Sequence, residues 1–354
     1  MERLNQITQY LRNYYPQLKI DEEALSKAVQ KNSFSPSDLA VNILSITGAI
    51  FSVFSFLGFL FLLNIYDSPS TLFFLGAIFI TSSIAISYQV QKLFLDTVSI
   101  SLFCAGLVMV GSGLGLQDAT LNSILLIILG ISSIPLAIKQ TKTLTFFSFM
   151  ILNACVLGLI LTNKAYSLIP IYITIIASLL SYFCYYEGRM LTSNSLSRRL
   201  YSVIRIGLIC SLVLSLVLIT HAPQFNMTIP FIWCTSLVLI VLNLIFAHRI
   251  LLRHEITNRK KQWMFFVGFS ILLFPTIYAP YISGAILLIL LNYSIYYKTG
   301  LLIGGLCLCY SLVHYYYDLE LSLLYKSGLL CLSGSLLLLY YALLSRKIKR
   351  NEKI

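Results

Sequence analysis

The stretch that decides the fold is LLIGGLCLCYSLVHYYYDLELSLLYKSGLLCLSGSLLLLYYALL, Leu301 to Leu344. Two apolar runs flank a polar knot, His314 to Lys326. A bilayer core needs about 20 apolar helical residues to cross it, and each run approaches that length. Most of the chain repeats this pattern of apolar run and short connector. Of the 354 residues 58% are hydrophobic and 11% charged, against about 25% charged in a soluble domain. Mean hydropathy is +0.85. Inside lipid every backbone amide must find its partner within the protein, which leaves helices and closed barrels. Barrel strands alternate and carry a polar lumen face, whereas these runs are continuous. The fold class read from the sequence is therefore all-α, a polytopic helical membrane protein.

Residues 1–35 form a short, soluble helical region. Leu4, Ile7, Leu11 and Tyr14 recur at helical spacing up to Pro16, and Ile20, Leu25 and Val29 mark a second amphipathic helix. It lacks the compact apolar run of a secretory signal. Such helices lie against the membrane surface or against a partner protein. Ser35-Pro36-Ser37-Asp38 then starts a helix, with Ser35 as cap and Pro36 in the first position. Spans are predicted at 40–65, 71–90, 97–116, 120–138, 144–162, 167–186, 201–220, 228–247, 262–279, 282–297, 299–316 and 324–344, twelve in all. Pro275 and Pro280 interrupt the ninth and tenth. Eleven spans, or a re-entrant segment there, is the alternative.

Charge sets the orientation. The net charge is +12, which in a soluble chain would point to nucleic acid. Here the positives sit in alternate loops. The even loops carry twelve Lys and Arg, among them Arg189, Arg249, Arg253 and Lys260; the odd side has only Lys164 and Lys326. Positive loops stay in the cytoplasm, so both termini are expected there. Nucleic acid is not an expected partner; the lipid bilayer and other membrane proteins are. The expected organisation is a cytoplasmic region 1–35, a six-span half 36–186, a linker 187–200, a second half 201–345 and a basic tail 346–354.

Three features invite a functional reading. The third span holds GLVMVGSGLG, with Gly106, Gly111, Gly113 and Gly115. No strand precedes it and no Lys-Ser or Lys-Thr follows, so it is no nucleotide loop. Small residues let helices pack closely; a helix broken at Gly111, Gly113 and Gly115 would expose carbonyls to a solute. The knot gathers His314, Asp318, Glu320 and Lys326. Lys326 lies on the positive-poor side, where an acidic partner among them would fix the last hairpin; a substrate or ion site is the competing reading. Asn122, Asn153, Asn243 and Asn292 sit inside spans, where amides usually join helices. Arg205, near a span start, is expected to snorkel to the interface. The eight cysteines and four histidines show no metal-ligand spacing. No catalytic residue, metal or cofactor is assigned.

Tyr315 to Leu339, YYYDLELSLLYKSGLLCLSGSLLLL, resembles the closing signature of an uncharacterised bacterial membrane family, domain of unknown function 4401. Aromatic residues lead through Leu-rich sequence to Lys326-Ser327, then to Gly334 before a final apolar run. The glycine-rich third span and short N-terminus fit the same pattern, and the resemblance spans about residues 30 to 345. It implies a multi-pass protein of the bacterial inner membrane, encoded beside other membrane proteins of unknown role, and it implies no reaction. Three functions compete. Twelve spans in two halves suggest a transporter or permease-like protein. Absent mid-membrane carboxylates and abundant small-residue faces suggest a non-catalytic membrane subunit or scaffold. A membrane enzyme acting on lipid or a lipid-linked substrate would need more acid, base or metal ligands than the outer loops show.

Overall fold

The computed structural model describes residues 68–89, 93–138, 141–192, 195–222, 224–225, 227–253 and 259–318, with scattered positions between 44 and 59 and between 327 and 338. Among them every regular element is helical. Numbered from Pro69, the helices are α1 (Pro69–Gln89), α2 (Leu93–Leu116), α3 (Leu121–Ala137), α4 (Lys142–Thr162), α5 (Leu168–Tyr185), α6 (Glu187–Thr192), α7 (Ser195–His221), α8 (Ile232–Arg253), α9 (Arg259–Leu273), α10 (Pro280–Ser294) and α11 (Lys298–Asp318). A 3-10 turn, Phe274–Tyr278, follows α9. Among the described residues seven helices are long and apolar enough to cross a membrane: α1, α2, α4, α5, α7, α8 and α11. Three shorter apolar stretches, 121–137, 262–278 and 280–294, accompany them. The chain is a multi-pass helical membrane protein.

Local chemistry explains the boundaries. Thr120 and Thr141 cap α3 and α4, each accepting a bond from a backbone N–H three residues on. Pro275 converts the end of the ninth predicted span into the 3-10 turn, and Pro280 opens α10 at its first position, where a missing N–H costs nothing. The stretch read as a linker is largely helical, because Arg189, Met190 and Leu191 are good helix formers and only Gly188 is not. α2 runs unbroken through Gly111, Gly113 and Gly115 to Leu116, so the broken-helix expectation is not what forms. Gly111 instead faces Ile124 and Ile128 of α3 at ordinary contact distance.

The chain divides into two compact units, Met1–Met109 and Val110–Ile354. In the first, α1 and α2 are joined by two serines. Ser83 Oγ donates to the Ser99 carbonyl at 2.7 Å and Ser99 Oγ returns to the Ser83 carbonyl at 2.9 Å. Further along, a Cβ on Gly106 would stand 2.9 Å from the Gly76 carbonyl oxygen and 2.7 Å from Ile80 Cγ1. Lipid tails are as apolar as leucine, so close backbone approach and such bonds hold helices together.

The second unit is built around α10. This helix is mostly apolar and buried on nearly every side, the pattern of a core helix; Ala285, Leu287, Leu288 and Leu291 have no exposed surface. Leu180 of α5, Leu212 and Leu216 of α7 and Leu239 of α8 fill the same core. Asparagines join neighbours, as expected of amides in lipid. Asn122 and Asn163 exchange two hydrogen bonds of 2.8 and 3.1 Å between α3 and the end of α4. Tyr172 Oη of α5 donates to Asn153 Oδ1 of α4 at 3.0 Å. Asn243 Nδ2 of α8 donates to the Ser283 carbonyl of α10 at 2.9 Å. Asn292 bonds within its own helix, to Leu288.

Candidate functional site

Several helices of the second unit end together, and their last turns carry charge. α5 ends at Tyr185 and passes directly into α6, which starts with Glu187. α8 carries Arg249 and Arg253 in its last turns, four residues apart and therefore on one face. α10 ends at Ser294, beside Ile295, Tyr296 and Tyr297. Between these ends lies a cavity of about 320 Å³, lined by Cys184, Glu187, Arg249, Arg253 and Ser294 among others.

Each arginine is held in the same manner. Arg249 Nη1 donates to the Cys184 carbonyl at 3.4 Å, and its guanidinium lies 4.6 Å from the centre of the Tyr185 ring. Arg253 Nη1 donates to the Ser294 carbonyl at 2.6 Å, with its guanidinium 4.7 Å from the Tyr296 ring. Both carbonyls belong to helix C-termini, where acceptors lack intrahelical partners and the helix dipole is negative. The contacts therefore orient the arginines as well as closing α5 and α10. A guanidinium has five N–H donors, and these bonds occupy few of them. Among the described residues neither arginine has a carboxylate partner.

The acid in the pocket is already committed. Glu187 Oε1 lies 3.2 Å from Nη1 of Arg205, with side-chain exposures of 24% and 12%. The Arg205 guanidinium also sits 4.2 Å from the Tyr297 ring and 5.2 Å from Tyr201. This corrects the expectation that Arg205 snorkels. α7 starts six residues before the predicted span, so Arg205 lies three turns inside it. It is held by Glu187 of α6 and the Tyr297 ring after α10 instead of extending alone to the headgroups. With Arg205 neutralising Glu187, the cavity keeps, among the described residues, the two positive charges of Arg249 and Arg253.

The predicted sites fall elsewhere. His314, in α11, sits beside His221 at the end of α7, the rings edge to face with centres 5.2 Å apart. His221 also meets Tyr310 Oη through Nε2 at 2.6 Å and Gln224 Oε1 through Nδ1 at 2.8 Å. The sequence reading missed this partner, which lies 93 positions earlier in the chain. Asp318 closes α11, but its side chain, Glu320 and Lys326 lie outside the described residues, as does the expected ion pair. Gly113 is buried within α2, and Gly115 faces open space. The arginine pocket has one signal in the sequence, the Arg249–Arg253 spacing, and by charge alone those residues mark a loop.

No curated protein and no solved structure matches the chain. A family model does match, over residues 38–347, and its description is "domain of unknown function". The match covers most of the chain, described helices included, and the protein belongs to this family, DUF4401.

Proposed function

We propose that the protein binds a phosphate-type anion in the Arg249–Arg253 pocket and serves as a non-catalytic subunit of the bacterial inner membrane, with both termini in the cytoplasm. One observation carries the binding reading: two preoriented guanidiniums line one cavity, and the cavity's own acid is tied to Arg205. Arginine forks match phosphate oxygens two at a time. The loop-charge asymmetry supports the orientation and puts the pocket on the cytoplasmic side. Solid packing beneath the pocket supports a subunit over a permease, because Leu288 and Leu291 of α10 have no exposed surface. The enzyme reading gains nothing from Glu187, which is already paired.

The permease reading keeps one observation of its own. Asn153, Tyr172, Asn243 and Ser283 are buried at several depths of the second unit. Ser148 Oγ, Ser181 Oγ, Ser236 Oγ and Asn243 Oδ1 have no hydrogen-bond partner there among the described residues. Such oxygens are what a hydrated path through the bundle would use. One preparation tests both readings. Full-length protein in detergent is challenged with phosphate compounds, soluble and lipid-borne, and its unfolding temperature followed. A rise that Arg249→Gln/Arg253→Gln abolishes supports anion binding, and no rise with any probe refutes it. Time-dependent uptake of a phosphate probe into proteoliposomes, lost in the same variant, would replace the subunit with a permease.

A further inference from the structure

We infer that the anion held by Arg249 and Arg253 is the phosphate of an anionic phospholipid, with phosphatidylglycerol as the headgroup that fits best; this rests on the anion-binding reading. The pocket is made where membrane-length helices end, at the final turns of α5 and α8. Around it Tyr182, Tyr185, Tyr186, Tyr293 and Tyr296 are exposed, and aromatic rings of this kind settle at the headgroup level of a bilayer. The arginines therefore stand at the depth of lipid phosphates.

Below that belt the same two helices present apolar faces outward. On α5, Ile171, Ile175 and Leu179 are exposed at four-residue spacing, a stripe that continues into Tyr182 and Tyr186. On α8, Val241, Ile245 and Leu252 are exposed, and Arg249 and Arg253 flank the last of them. Residues four apart share a helix face, and Val241, Ile245 and Arg249 form such a row, so an acyl chain can lie along the α8 stripe while the phosphate reaches the cavity. The α5 stripe lies on the face opposite the pocket-lining Cys184 and marks only lipid depth. A soluble phosphate would use the arginines and leave the α8 stripe idle.

Charge and size select the headgroup. Among the described residues the cavity holds two cations without a carboxylate partner and a Glu187 paired with Arg205. A phosphodiester with a neutral glycerol complements this, whereas an ammonium-bearing headgroup would bring its own cation against two guanidiniums. The volume, about 320 Å³, stands at the lower end for small-molecule sites, so it takes a phosphoglycerol more readily than a bulky sugar chain.

The test uses full-length protein in mild detergent, delipidated, then given phosphatidylglycerol, phosphatidylcholine or soluble glycerol phosphate. Native mass spectrometry reads retained lipid and a thermal ramp reads stabilisation. Phosphatidylglycerol is expected to be retained saturably and to raise the unfolding temperature, phosphatidylcholine less so. Arg249→Gln/Arg253→Gln is expected to weaken retention about tenfold or more, as the loss of a charge-assisted phosphate contact implies. If glycerol phosphate stabilises the wild type as well as the lipid does, and only through the arginines, the anion is soluble; this inference falls and the anion reading stands. If neither probe stabilises, both fall. Retention of phosphatidylglycerol unchanged in the glutamine variant places the lipid elsewhere and overturns the inference. Should that variant not fold, Arg249→Lys/Arg253→Lys carries the test. It keeps the charge and loses the fork, and retention equal to wild type overturns the proposal.

Discussion

Replacing Arg205 with Met should destabilise the second unit more than replacing Glu187 with Gln, and the two changes should not add. Both side chains are less than one quarter exposed, at 12% and 24%, so water takes over the role of a lost partner only in part. Arg205→Met leaves the Glu187 carboxylate part-buried and without its ion-pair partner, with only the more distant cavity guanidiniums to offset it. The full cost of such a charge is about 3–5 kcal/mol, and the exposure of Glu187 puts this case near 3. Glu187→Gln leaves an amide oxygen to accept from Nη1. It also leaves the Tyr297 and Tyr201 rings in place, which stabilise a desolvated guanidinium by about 1–2 kcal/mol. That loss should be about 1 kcal/mol, the value of one charged hydrogen bond exchanged for a neutral one. The double variant has no stranded charge and should cost about 2 kcal/mol, giving a coupling near 2 kcal/mol within the range for groups in one network. Cys155, Cys184 and Cys307 are buried and free, whereas Cys234, Cys309 and Cys331 are exposed, so once the exposed thiols are blocked a thiol-reactive dye reports unfolding in detergent. A coupling below about 0.5 kcal/mol, or an Arg205→Met protein as stable as wild type, would refute the claim that this pair is desolvated and shared.

The remaining predictions are independent of that pair. Gly106→Ala should destabilise by about 1–3 kcal/mol, the range for overpacking, because its Cβ meets the Gly76 carbonyl oxygen. Gly284→Ala should cost less, since its Cβ meets the side chain of Leu216, methyl ends first, and no backbone atom among its three nearest contacts; equal losses in the two thermal midpoints would contradict the contact geometry. Tyr172→Phe removes the donor to Asn153 Oδ1 and should cost about 0.6–1.7 kcal/mol, as interhelical bonds in lipid do; the additional change Asn153→Leu should then cost little more. A cysteine placed at Lys260 should label from the cytoplasmic side alone, and labelling in intact cells with an impermeant reagent would reverse the proposed orientation.

The centres of the helices were legible in the sequence and their ends were not, and the candidate site consists of ends. Long apolar runs located α2, α4 and α5 to within four residues, because hydropathy is carried by the many side chains that face lipid or the core. The predicted eighth span stopped at residue 247, whereas α8 continues to Arg253. Hydropathy starts the seventh at residue 201, whereas α7 begins at Ser195. In both cases the reading broke where charge begins. An arginine at a helix end need not mark a loop, however: it can donate to the free carbonyls of a neighbouring helix and lie on a tyrosine ring, as Arg249 and Arg253 do. Those partners come from α5 and α10, 65 and 41 positions away, and no local pattern announces them. His221 and His314 were obscure for the same reason, since only the packing of α7 on α11 brings them together. What the sequence did contain was a pair of arginines four apart at the close of an apolar helix. Read with the helical period continued through the charge, that pair becomes one face of a helix end, and in a membrane protein such a face is a place to look for an anion.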